Sequence, residues 1–216
     1  RDSRYVGDAG YYSLDRLPAI SISTDSRRMG GWRALGRAYT RLQLDLGRFE
    51  QSPAGQKVGR AAFMATLGGS EQQLSESTAV RTALRFRQSW YDEGSAQYNV
   101  TFTGELRHAM DRHWHSRVSY YYAATRGYSP LRLDYGGRGN EVMFELVRHA
   151  PDKSRIELSS GFDFIADRWR DLRILAELRS SAHTYWRLQT AYSIDRSEWW
   201  PLVVRFATAR RSLYLD

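Results

Sequence analysis

The chain has 216 residues, 42% hydrophobic and 26% charged, a balance that excludes a disordered polymer and leaves room for one sizeable core or one large curved sheet. It contains no cysteine, which excludes disulfide frameworks, thiolate metal sites and thiol nucleophiles. The formal net charge is +8 and Lys occurs only at Lys57 and Lys153, so nearly all the positive charge is guanidinium, suited to bidentate pairing with phosphate or carboxylate.

Along the chain, the segment 1–12 is polar and lacks the apolar stretch of a secretory leader, so a mature chain or a fragment is expected. From 38 to 49 the residues alternate: Ala38, Thr40, Leu42, Leu44 and Leu46 fall on one side, and Tyr39, Arg41, Gln43 and Asp45 on the other. Period two places successive side chains on opposite faces of a strand. The pattern returns at 79–90, where Val80, Thr82, Leu84, Phe86 and Trp90 oppose Arg81, Arg85, Arg87 and Ser89. It is cleanest at 97–107, where Tyr98, Val100, Phe102 and Leu106 oppose Asn99, Thr101, Thr103 and Glu105. Further strands are predicted at 141–147, 156–164, 172–179, 186–193 and 200–208.

Short polar punctuators at 52–55, 92–94, 110–113, 151–154, 166–171 and 195–197 read as hairpin turns, which make consecutive strands antiparallel. The longer stretch 125–139, rich in glycine, reads as an extended loop in which Leu131, Leu133 and Tyr135 are strand-like. The whole is predicted as one all-β domain over 1–216, an antiparallel meander of roughly 10–12 strands. No apolar run approaches the ~18 residues of a transmembrane helix, so any membrane is crossed by strands.

Alternation alone fits a soluble sandwich as well as a membrane barrel. Three features point to lipid. The polar rows stay polar in nearly every strand, and the strands are near the ~9–11 residues that cross a bilayer when tilted. Aromatic residues also gather near strand ends, as at Trp90, Trp114, Trp169, Trp186, Trp199 and Trp200. The expectation is all or part of an outer-membrane β-barrel. The alternatives are a porin-like channel for small solutes and a soluble β-protein that binds anionic polymers.

A nucleic-acid reader needs a basic stripe, whereas the arginines here are mixed with Glu105, Glu141, Glu145, Glu157 and Glu177, so no nucleic-acid partner is expected. His113 and His115 form H-x-H, but no third ligand has metal spacing. There is no nucleophile elbow, Walker loop or dinucleotide fingerprint. A non-enzyme is expected, with no catalytic, cofactor or metal residues.

Four stretches carry a family resemblance: LDRLPAISIS at 14–23, LQLDLGRFEQ at 42–51, RGYSPLRLDYGG at 126–137 and GFDFIADRWRDLRILAELR at 161–179. Their Leu-Pro strand entry, G-x-S-P-x-x-x-D loop and Y-D-F turn followed by R-W-x-D-L, with Phe162 here in place of the Tyr, resemble the later part of the barrel of the lipopolysaccharide-assembly outer-membrane protein family (LptD, or organic solvent tolerance protein). The resemblance implies a segment of a large outer-membrane barrel that moves lipopolysaccharide to the outer leaflet. The implied partners are lipopolysaccharide or another anionic lipid, a plug lipoprotein and a periplasmic bridge protein. Arg81, Arg85, Arg87, Arg173 and Arg187, each on a polar row, are the candidates for lining the path of the phosphorylated head group. The plainer reading is that they solvate the polar face or pair with carboxylates.

Overall fold

The computed structural model describes residues 2–5, 11–26, 38–52, 56–69, 71–134, 136–151, 154–181, 184–208 and 212–215. In chain order the strands are β1 (Asp2–Tyr5), β2 (Tyr11–Asp25), β3 (Ala38–Ser52), β4 (Gln56–Gly69), β5 (Gln72–Gln73), β6 (Thr78–Tyr91), β7 (Ala96–Ala109) and β8 (Trp114–Gly127). They continue with β9 (Gly139–His149), β10 (Arg155–Asp163), β11 (Arg168–Ser181), β12 (Thr184–Ser193), β13 (Glu198–Trp199), β14 (Val203–Thr208) and β15 (Ser212–Leu215). The one helical piece among the described residues is a 3-10 turn, Arg132–Asp134, between β8 and β9. Spatial order is sequence order through thirteen strands, with β5 and β13 as short additions beside β6 and β12. The chain is all-β, an antiparallel meander, as the alternation predicts.

Some details differ from the sequence reading. The turn after β10 occupies 164–167, earlier than the predicted 166–171, because Asp163 accepts hydrogen bonds from the backbone N–H groups of Ile165 and Ala166 and closes the chain there. Among the long strands, β2, β4 and β8 are not picked out by alternation. In the loop after β8, Leu131 is not strand-like: it directly precedes the 3-10 turn, and Leu133 lies within that turn. Tyr135, His183, which the sequence places in a turn, and most of the predicted turn at 52–55 lie outside the described residues.

The strands divide into two compact units, residues 1–70, 82–103 and 122–139 in the first, and 71–81, 104–121 and 140–216 in the second. In the first unit the register sets Asp45 opposite Ala62, Gln43 opposite Met64, Met64 opposite Arg87 and Arg60 opposite Tyr91, so these residues share one face. Leu44 pairs with Phe63 and Leu67 with Leu84 on the other face. The apolar row is the open one: Ile20 is 64% exposed and Ile22 62%, and Leu44, Leu46, Leu67, Leu84 and Trp90 are exposed with them. The buried side chains Phe49, Val58, Ala62, Ser89 and Tyr91 all belong to the polar row.

The second unit repeats the arrangement. Leu146 pairs with Leu158, which pairs with Ile174, and Leu188 pairs with both Ala176 and Val204. The opposite row carries ion pairs along the strands: Arg117 to Glu145, Arg155 to Glu157, Arg170 to Glu141 and Arg187 to Glu177. At one end of the apolar rows Phe162 packs edge-on against Phe164 and Trp169, and Tyr192 meets Trp199. At the other end the Arg148 guanidinium stands 5.9 Å from the Trp114 ring.

Candidate functional site

An enclosed polar cluster in the first unit is built by the connection from β8 to β9 where it turns back over the polar row. Gly127 starts the reversal at φ 86°, and a side chain there would meet the Ala96 carbonyl oxygen at 2.2 Å, so only glycine fits. Tyr128 N–H then donates to that same carbonyl at 2.9 Å. The Ser129 hydroxyl accepts from Leu131 N–H at 3.1 Å and donates to Leu131 C=O at 2.9 Å, a local clip. Leu131 is fully buried, in one apolar cluster with Phe49, Val58 and Tyr91.

That clip delivers Asp134 to the sheet. Its Oδ1 accepts from Arg60 Nη1 at 2.6 Å and from Arg87 Nη2 at 2.7 Å, and its Oδ2 accepts from Arg60 Nη1 at 2.8 Å and from Tyr91 Oη at 2.9 Å. Arg60 also lies 4.0 Å over the Phe49 ring. Asp134 is 4% exposed. Burial pushes its carboxyl up, but the charges of Arg60 and Arg87, with the hydrogen bonds from Arg60 and Tyr91, outweigh that and hold it below the usual carboxylate range. Beyond the 3-10 turn, Thr125 donates to Asn99 Oδ1 and Gly137 C=O, and a side chain on Gly136 would strike both Asn99 and Thr125.

Two open clefts lie in the second unit. One, of about 370 Å³, gathers Arg168, Arg170, Arg173 and Arg196 with Asp163, Asp171 and Asp195, and Trp169 and Trp200 also line it. Arg170 pairs with Glu141 and Arg196 with Glu198, whereas Arg168 and Arg173 form no ion pair among the described residues. The other, of about 560 Å³, brings His108, His115 and His149 together with Arg107, Arg117 and Arg155 and with Glu71, Glu76 and Glu145. The His115 and His149 rings are 5.7 Å apart. Among the described residues no group of three His, Cys, Asp or Glu side chains is placed to hold a metal ion.

The five arginines expected to line one path have different surroundings. Arg87 is engaged by Asp134 and Arg187 by Glu177. Arg81 and Arg85 are exposed on alternate positions of β6, Arg81 in the part that belongs to the second unit. Arg173 lines the arginine cleft. Sequence reasoning missed Arg60, Tyr91 and Asp134 as a cluster. The signal available for it was the G-x-S-P-x-x-x-D pattern, whose Gly127, Ser129 and Asp134 perform the reversal, the clip and the ion pair. No family model, curated protein or solved structure matches this chain. Among the described residues, exposed apolar rows and guanidinium-rich polar rows lie on opposite faces of the strands.

Proposed function

We propose that the chain is part of an outer-membrane β-barrel, with its apolar rows against lipid and its charged rows facing a polar interior. The observation that carries this is the inverted exposure. Burying a large apolar side chain fully is worth about 1.5–3 kcal/mol, of which a side chain 38–64% exposed forgoes a part, and an open row of Ile20, Ile22, Leu44, Leu46, Leu67 and Leu84 marks a surface that meets something nonpolar. The aromatic clusters at both ends of the apolar rows in the second unit fit the two interfacial girdles of such a barrel.

Within that reading the activity we favour is lipopolysaccharide assembly at the outer leaflet. The four motif resemblances support it, as does a charge made almost wholly of guanidinium. The test has two stages. Detergent-extracted chain run on a gel before and after boiling should shift in mobility, as folded membrane barrels do; extraction into plain buffer with no shift would end the barrel reading. Photo-crosslinkers at Arg81, Arg85 and Arg173 should then capture lipopolysaccharide in cells, and capture of phospholipid alone would remove the transport reading.

A further inference from the structure

We infer that Arg60, Arg87 and Tyr91 form a binding site for a phosphate group, and that Asp134 occupies it as a built-in competitor. The site belongs to the sheet: Arg60 comes from β4, and Arg87 and Tyr91 from β6, with Arg60 and Tyr91 in direct register across the two strands. Asp134 arrives from a connection that reaches the sheet only by folding back. Two guanidinium groups meet one carboxylate there, and neither Arg60 nor Arg87 has another ion pair among the described residues, so one positive charge stays uncompensated within the cluster.

The donor set also exceeds what the carboxylate uses. Asp134 takes Arg60 through a single nitrogen, Nη1, although guanidinium binds oxyanions best through a two-nitrogen fork. Arg60 Nε is buried with no hydrogen-bond partner, in a side chain only 8% exposed. A phosphate, with more oxygens and more charge than a carboxylate, matches the two guanidinium charges and the Tyr91 hydroxyl better than Asp134 does. Its arrival requires Asp134 to leave, and Leu131 leaves its pocket with it. The inference does not rest on the membrane reading, because the cluster lies on the polar row whatever medium meets the apolar one.

The test uses the full chain in detergent, or in buffer if it extracts there, with inorganic phosphate as the probe and chloride at equal ionic strength as the reference. Asp134→Ala should bind phosphate at least about tenfold more tightly than the native chain, since the competitor is gone, and phosphate should raise its thermal midpoint. Asp134→Asn, which keeps the side-chain shape, provides the same measurement if the alanine variant does not fold. Adding Arg87→Gln to either variant should abolish the response. In the native chain phosphate should speed amide exchange over 128–134. Equal responses with and without Arg87, or no advantage of phosphate over chloride in either Asp134 variant, would overturn the proposal.

Discussion

Asp134 is the residue on which the first unit's covered polar row depends. Its carboxylate is buried, and its two strongest partners are charges that are themselves largely out of water. Removing one member of such a set leaves the others uncompensated, so Asp134→Ala should destabilise the folded chain by about 3–5 kcal/mol in chemical denaturation, and Asp134→Asn, which keeps an acceptor oxygen in place, by less. A cost below 1 kcal/mol would mean that water reaches the guanidinium groups. The same group sets an acid limit. Because its folded pKa is depressed, its contribution is fully present above the unfolded value of ~3.9 and is lost as pH falls through the lower folded value. Protease sensitivity of the connection should therefore stay flat down to about pH 4 and rise only below it. A rise well above pH 4 would mean that the carboxylate of Asp134 is not what holds the connection down. Gly127 is the second point of control: Gly127→Ala combines a left-handed backbone with a clash against Ala96 C=O, and should lower the yield of folded chain where Gly94→Ala, whose added carbon meets nothing within 4 Å, lowers it less.

At the scale of strands and turns, alternation was readable wherever the two rows differ sharply in polarity. β6 and β7 were therefore visible, with arginines or amides on one side and Leu, Val and Phe on the other. β4 was not, because its polar-row positions include Val58, Ala62 and Met64, apolar or small residues; Val58 joins the cluster around Leu131 that the folded-back connection completes. The connection itself defeated period-two reasoning for the same cause, since its apolar Leu131 is buried by tertiary packing and not by a sheet face. The G-x-S-P-x-x-x-D spacing marks Asp134 but not its burial, which depends on the sheet it folds back onto, and the meeting of His108, His115 and His149 depends on register across three strands, which no single segment encodes. The two rows of one strand also permit a paired test. Leu44→Arg, on the open apolar row of β3, should cut insertion into lipid bilayers by an amount equivalent to about 2–4 kcal/mol. Gln43→Arg, one residue away on the opposite row, should leave insertion unchanged. If the chain were a water-soluble sheet, both substitutions would be tolerated alike.

For the molecule as a whole, the placement of tryptophan provides a test independent of any single strand. The six described tryptophans are Trp90, Trp114, Trp169, Trp186, Trp199 and Trp200, and each lies at a strand end, within three residues of it. A soluble core would draw indole rings toward the middle of strands, where burial is deepest. A bilayer draws them to its two interfaces, where the apolar ring meets chains and the N–H meets water. Arg148 beside Trp114 sets a cation next to one of these rings, as suits a side chain whose stem lies in lipid and whose charge reaches the head groups. The depth of the tryptophans can be read directly. In vesicles whose lipids carry bromine near the head-group end of the acyl chain, tryptophan emission should be quenched more strongly than in vesicles brominated near the chain terminus. The reverse order would place the rings at the bilayer centre and reject the girdle. Absence of quenching in both would mean that the apolar rows meet another protein surface, in which case the exposed Ile, Leu and Trp residues mark that partner's footprint.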